Sequence, residues 1–462
     1  MSGLIERLWS AVSAEPHGPV AIAGHGSLES RYPVSDLATA SIAVAGLAAR
    51  RGPVTVDAAL ADAWFGPALR PIGWELPSPW DSLAGDYRTA DGWIRLHTNA
   101  PHHRLAALLV LGVTERAYPR RGAHVVGAEP EPEIDFAAER AAERADVEAA
   151  VALWPGDELE AEIVEAGGAA AVLRDPAAWA EHPQGVAVGG ESLISWSTTS
   201  SAGGEPGFTV LDLTRVIAGP VATRFLAGLG AEVLRLDPPD WDEPAIVPEM
   251  TLGKRTARMN FNDAGGMRKL GLLIEQSDVI VHGYRADALA RLGLTPERLA
   301  EIKPGIVDVA LDAYGWTGPW RDRRGFDSLV QMSSGIAFGS DRAPDPLPVQ
   351  ALDHATGYLV AAAALEGLHR RRLTGHGQVA RLSLARTALE LADWSRQARP
   401  AVAPETPQRV EPVETTPLDT PWGPAELFAS PLTVDGEPLR WARGPRPLGD
   451  EKLRFLPPAA AP

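Results

Sequence analysis

Residues 210–239, VLDLTRVIAGPVATRFLAGLGAEVLRLDPP, constrain the fold more than any other part of the chain. A short apolar run at 210–213 leads into the turn Ala218-Gly219-Pro220. Apolar residues then recur at helical spacing through Phe225, Leu226 and Leu229, and a second apolar run covers 231–236. This is a strand, turn, helix and strand. The turn carries one glycine, Gly219, and lacks the Gly-x-Gly-x-x-Gly fingerprint, so it does not read as a nicotinamide dinucleotide site. Further strand patterns at 279–281 and 307–310, separated by helical ones, predict an α/β fold. Its main element is a Rossmann-like parallel sheet flanked by helices, with a second, smaller α+β domain.

At 462 residues and 45% hydrophobic, the chain is long enough for two or more domains, and its net charge of -17 argues against a nucleic-acid partner. No cysteine occurs, which removes disulfides, thiolate nucleophiles and zinc-finger spacings and leaves oxygen or nitrogen for covalent chemistry. The first residues, MSGLIERLWSAVSAEPHGP, include acids and no long apolar core, and the most apolar run, at 38–48, is too short to span a bilayer. The expectation is a cytoplasmic protein with no membrane partner.

The chain also repeats itself. Residues 33–64 and 348–394 each place an Asp, Asp36 or Asp353, at the head of an Ala-rich helix, with Ala-Thr two residues on. An arginine cluster, a Gly-containing turn, a Val-containing strand and another Ala-rich helix follow in both. Between the copies, Asp91-Gly92 flanked by strand-like residues is a hairpin signature. Helical patterns cover 136–152 and 157–166, and a short strand covers 170–173. The predicted division is an N-terminal segment at 1–70 that echoes or completes the main α/β domain, a small α+β domain at 80–190 and a Gly/Ser-rich linker at 191–206. The main α/β domain follows at 207–396, then an extended linker at 397–420 and a C-terminal return segment at 421–462. Adjacent His102 and His103, with His97 nearby, lack a paired acidic motif, and a surface loop is expected there with no metal site.

Five ordered motifs carry a resemblance. Residues 210–239, Gly253-Lys254-Arg255-Thr256, SDVIVHGYRADALARLGL at 277–294, DAYGWTGPWRDRRGFDSLVQMSSGI at 312–336 and LDHATGYLVAAAALEGLHRR at 352–371 together resemble the family III CoA-transferases. That family includes formyl-CoA and carnitine CoA-transferases and the related α-methylacyl-CoA racemases. The order departs from it, because here the small-domain segment precedes the main α/β segment.

The resemblance implies a CoA-transferase acting between an acyl-CoA donor and a small carboxylic acid acceptor, with coenzyme A as substrate, no tightly bound cofactor, and a homodimeric state. It also implies that 207–396 binds CoA. Arg215, Val216 and Ala218 would lie along the CoA arm and Gly283 and Tyr284 beside the nucleotide, with Lys254, Arg255, Arg291 and Arg324 as cations for its phosphates. Asp353 would attack the thioester, giving a mixed anhydride and then an aspartyl-CoA thioester, with backbone amides at the start of the following helix stabilising the oxyanion and Asp327 assisting. The competing local reading is that Asp353 caps its helix. In the family's racemases a His stands where Gly325-Phe326-Asp327 has Phe326, which cannot shuttle a proton, so a racemase is the lesser alternative. The other is a CoA-binding protein that has lost catalysis, since only Gly167-Gly168 and Gly189-Gly190 are on offer for a closing loop.

Overall fold

The computed structural model describes residues 1–116, 136–283, 292–397 and 413–455. The chain begins with α1 (Ser2–Val12), β1 (Val20–Ala23), α2 (Val34–Ala48), β2 (Val54–Asp57), α3 (Ala58–Phe65) and β3 (Leu69–Pro71). The hairpin β4 (Gly85–Arg88) and β5 (Trp93–Leu96) follows, then α4 (Pro101–Leu111), α5 (Ala137–Val151), α6 (Gly156–Glu165), β6 (Ala170–Val172), α7 (Pro176–Glu181) and α8 (Pro183–Gly189). Next come β7 (Ser195–Ala202), β8 (Thr209–Leu213), α9 (Ala218–Gly228), β9 (Glu232–Asp237), α10 (Val247–Met250), β10 (Arg255–Arg258), α11 (Ala264–Gln276) and β11 (Val279–His282). They are followed by α12 (Pro296–Ile302), β12 (Val307–Asp312), α13 (Asp327–Ser333), α14 (Ala351–Thr374), β13 (His376–Ser383) and α15 (Leu384–Gln397). The chain closes with β14 (Thr415–Thr420), β15 (Gly423–Phe428), β16 (Leu432–Val434) and β17 (Glu437–Pro438).

Local chemistry sets these boundaries. α4 opens with Pro101, whose missing N–H costs nothing in a first turn, and ends where Gly112 takes the left-handed conformation. The Asp263 carboxylate accepts the Gly266 N–H to start α11, and Gly375, at φ 76°, stops α14.

The main sheet runs β10-β9-β8-β11-β12-β13-β7. From β10 to β13 every neighbour is parallel, and β7 closes the sheet antiparallel to β13. The chain steps outward one way from β8 through β9 to β10, and the other way through β11, β12 and β13. The switch point therefore lies between β8 and β11, and a crevice opens beyond the carboxyl ends of those strands.

Two segments read as linkers contain strands. β7 lies within 191–206: its Ser- and Thr-rich sequence, SWSTTSSA, has no apolar alternation, and β13 supplies the backbone partners that make it a strand. β14 lies within 397–420 and carries Pro417, which is tolerated because β14 is the edge of the sheet β14-β15-β3.

The repeat has a definite form. In a second sheet, β1 pairs parallel to β2 and β16 pairs antiparallel to β2, as β12 pairs parallel to β13 and β7 antiparallel to β13. One unit runs β1-α2-β2-α3 and ends, after the small sheet β4-β5-β6, in β7. The other runs β12-α14-β13-α15 and ends in β16. Each unit gives its last strand to the other's sheet. The helices cross over as well. Phe65, at the end of α3, stacks on His354 of α14 with ring centroids 5.2 Å apart, and Trp394 of α15 donates its indole N–H to Asp36 of α2 at 3.0 Å. α2 lies along α14, and their small, buried Ala-rich faces merge the two units into one core. The early position of the small sheet follows from this arrangement, since it belongs to the first unit, between α3 and β7.

Candidate active site

Asp353 lies in the first turn of α14 and is 7% exposed. It does not cap that helix. The cap comes from Asp327, the first residue of α13, whose carboxylate accepts the N–H groups of Asp353 (2.8 Å) and Leu352 and the side-chain amide of Gln331. The His354 N–H is bonded to the Gln350 carbonyl. The first amides of α14 are therefore already spent, which corrects the expectation that they serve an oxyanion.

Burial, and then the charge of Asp327, push Asp353 well above the usual carboxylate range. Burial also pushes Asp327 up, to about 6, although its three donors work the other way. Asp327, hydrogen-bonded on both oxygens, is the better seat for the charge. Asp353, with no donor to its carboxylate among the described residues, is the better seat for the proton.

Gly357 lies one turn beyond Asp353 on the same face of α14. A Cβ at Gly357 would sit 2.4 Å from the Ala218 carbonyl oxygen and 2.9 Å from the Val221 Cβ. Glycine lets α9 rest its first turn directly on α14, which brings the end of the β8 turn alongside Asp353. Asp212 shapes that turn by accepting the N–H and hydroxyl of Thr214 and the hydroxyl of Thr223. Val216 sits at φ 64°, a left-handed conformation that costs a β-branched residue on the order of 1–3 kcal/mol. It is held there by Glu243, which accepts the Val216 N–H at 2.6 Å and is itself paired with Arg235. The half-buried Arg215 guanidinium lies over the Trp241 ring, 4.7 Å from its centroid. Gly283 is exposed just beyond β11, across the switch point from this turn. Tyr284 and Arg291 lie outside the described residues.

Two expected phosphate cations face inward instead. Lys254 is 0% exposed; its ammonium lies 3.1 Å from the Asp212 carboxylate and donates to the Pro220 carbonyl at 2.9 Å. Arg255 is committed to Glu451 and to the carbonyls of Lys452 and Arg454. Their positions correct the expectation, because a cation already neutralised in the interior has nothing to offer a ligand. Arg324 donates to the Gly167 carbonyl at 2.6 Å, so the Gly167-Gly168 turn lies against the segment leading to Asp327.

The small sheet covers this segment from the other side. Trp93, Ala169, Ala171 and Leu173 pack on Phe326, Leu329 and Met332. His97 stacks on Phe326, and His103 is buried in the first turn of α4, which corrects the surface-loop reading. The period-2 pattern of β5 ends at Leu96, so it carried no signal for the residue beyond. Among the described residues no group of three or more acidic or histidine side chains is placed to hold a metal, and no helix is long and apolar enough to cross a membrane.

A parallel sheet, a strained turn at its switch point and a buried aspartate pair beside that turn together define an α/β protein with a crevice at the carboxyl ends of its central strands. Residues 206–449, more than half of the chain, match CoA-transferase family III, and the chain belongs to that family. An acyl-CoA transferase of Fusarium pseudograminearum is 32% identical over 220 residues, 42% of this chain and 48% of that protein. The succinyl-CoA:glutarate CoA-transferase of Mus musculus is 35% identical over 187 residues, 37% of this chain and 43% of that protein. A crystal structure of a hypothetical protein from Mycobacterium tuberculosis aligns at 27% identity and a TM-score of 0.38, covering 42% of this chain and 59% of that one. The chain spans about half the length of the curated relatives it matches.

Proposed function

We propose that this chain moves CoA from an acyl-CoA donor to a carboxylic acid through a covalent intermediate on Asp353. An Asp353 oxygen attacks the thioester carbonyl, the C–S bond breaks, and CoA thiolate leaves an acyl-aspartyl anhydride. The thiolate returns to the aspartyl carbonyl and releases the donor's acid, giving an aspartyl-CoA thioester. The acceptor carboxylate then attacks that thioester, and the released thiolate takes up the acceptor acyl group and frees Asp353. Only an ionised Asp353 can attack, and Asp327 beside it is the group that takes its proton. The turn at 215–218 and Gly283 line the path of the CoA arm, and coenzyme A enters as substrate. The observation that carries this reading is a buried carboxylate, without a donor of its own among the described residues, held against the switch-point turn through Gly357 and Ala218.

The test is peptide mass spectrometry after incubation with a panel of acyl-CoAs and a hydroxylamine quench, beside Asp353→Ala. A hydroxamate at Asp353, absent in the variant, is the expected result. CoA binding with no adduct on any carboxylate would point instead to a CoA-binding protein without catalysis, a reading favoured only by the commitment of the first α14 amides to Asp327.

A further inference from the structure

The repeat is unequal at one edge. In the second unit β12 is buried along its whole length, with β13 on one side and β11 on the other. Its counterpart β1 pairs with β2 and is the last strand of its sheet; Val20 is half-buried, and Ala21, Ile22 and Ala23 are exposed. The first unit has no counterpart of β11, so the position that β11 takes beside β12 is open beside β1.

The other sheet edges among the described residues are guarded. β10 is covered by the C-terminal segment, where the Glu451 N–H meets the Thr256 carbonyl at 2.9 Å. The Ala170 carbonyl of β6 accepts a hydrogen bond from Arg323 at 2.8 Å. β3, β14 and β17 contain Pro71, Pro417 and Pro438, β4 carries Asp86 and Arg88, and β7 is mostly hydroxyls. Cover, proline and charge all keep an edge strand from pairing with another chain. β1, with the sequence VAIA, has none of the three.

The register shows which atoms are on offer. The Pro19 carbonyl accepts the Val54 N–H at 3.0 Å, so Pro19 faces β2, and by alternation so do Ala21 and Ala23. The N–H and C=O of Val20 and Ile22 therefore point to the open side.

We infer that a second copy of this chain docks there, its β1 antiparallel to the first across a two-fold axis beside Ala21. Val20 of each copy then exchanges both backbone hydrogen bonds with Ile22 of the other. The Ala21 residues face each other in the non-hydrogen-bonded position, where Cα atoms approach to about 4.5 Å and a small side chain fits. An open strand edge is satisfied by another open strand edge, and β1 is the one that this chain presents among its described residues. A partner bringing a strand, turn and helix in the manner of β8 and α9 would meet a closed seat. α9 rests on α14 at Gly357, and the matching position on α2, four residues past Asp36, is the fully buried Ala40. The docking stands apart from the chemistry at Asp353.

The chain has no cysteine, which makes Ala21→Cys a unique probe. Facing Cα atoms at that spacing lie within the reach of a disulfide, about 4.4–6.8 Å. Under mild oxidation Ala21→Cys is expected to form a covalent dimer on non-reducing gels roughly tenfold or more faster than Leu109→Cys, which places a thiol at an exposed position of α4. In sedimentation over roughly a hundredfold range of concentration, the native chain is expected to rise from 49.0 kDa to twice that mass. Ile22→Pro removes an N–H that no strand within the chain uses, so far-UV circular dichroism is expected to stay as it is while the dimer is lost. Ile22→Lys, which places a charge on the same edge, is expected to do likewise. A mass of 49.0 kDa at every concentration, cross-linking of Ala21→Cys no faster than that of Leu109→Cys, or a dimer that survives both Ile22 variants overturns the inference.

Discussion

Asp327→Asn is the perturbation that most directly probes the carboxylate pair. In the native chain Asp327 is raised from 3.8 to about 6, whereas the unfolded chain releases the same proton in the ordinary carboxylate range. A raised group favours the folded state at low pH, and that contribution is lost as pH climbs through about 6. Two pK units at about 1.4 kcal/mol each amount to a loss on the order of 3 kcal/mol, complete above pH ~6. Asparagine cannot titrate, so the variant escapes this loss. It does pay for one mismatched hydrogen bond, because an amide offers one acceptor where Gln331 and the Asp353 N–H need two, about 1–2 kcal/mol. The stability curves should therefore cross, with the variant weaker by about 1–2 kcal/mol near pH 4 and stronger by a similar amount near pH 7.5. Urea midpoints measured at half-unit steps of pH give the comparison. A difference between the two proteins that does not change with pH would sink the argument. Because the charge on Asp327 helps to raise Asp353, the pH at which the Asp353 adduct begins to form should also move down in the variant.

Two further outcomes follow from the packing around the turn. Lys254→Met leaves the Asp212 carboxylate buried without its cation and should cost about 3–5 kcal/mol by chemical denaturation, while the CoA affinity of the folded fraction stays unchanged; a weakened CoA affinity alone would restore Lys254 as a ligand cation. Gly357→Ala drives a methyl into the Ala218 carbonyl and should lower stability by about 1–3 kcal/mol, with CoA titrations weakening as the turn is pushed away from Asp353; unchanged unfolding would show that the two helices do not meet there.

The parallel sheet was legible because its strands are buried on both faces and read as apolar runs, and the turn after β8 was legible through Ala218-Gly219-Pro220. The hairpin at Asp91-Gly92 and the helices at 137–151 and 156–165 announced themselves by turn chemistry and period. β7 and β14 did not, because an edge strand takes its hydrogen bonds from a neighbour distant in sequence and needs no apolar pattern of its own. Lys254 and Arg255 show the same limit for charge. Whether a cation faces water or a buried carboxylate depends on Asp212 and Glu451, which sequence distance hides. Asp353 could be placed at a helix start, but its relation to Asp327 required the fold to bring α13 against α14. His97 and His103 carried no signal at all, since their burial is decided by the docking of the small sheet on Phe326.

The exchanged strands also impose a schedule on the ribosome. β7 emerges with its partner β13 still more than 170 residues from completion, a wait of roughly 10–35 s at typical translation speeds. During that interval its backbone is an open template for any passing strand, and a greasy edge would invite aggregation. The sequence SWSTTSSA answers that hazard with hydroxyls, which keep the waiting segment hydrated until β13 arrives. Once it is paired, the exchange is tethered through residues 203–208, so dilution cannot separate the two halves as it would two free chains.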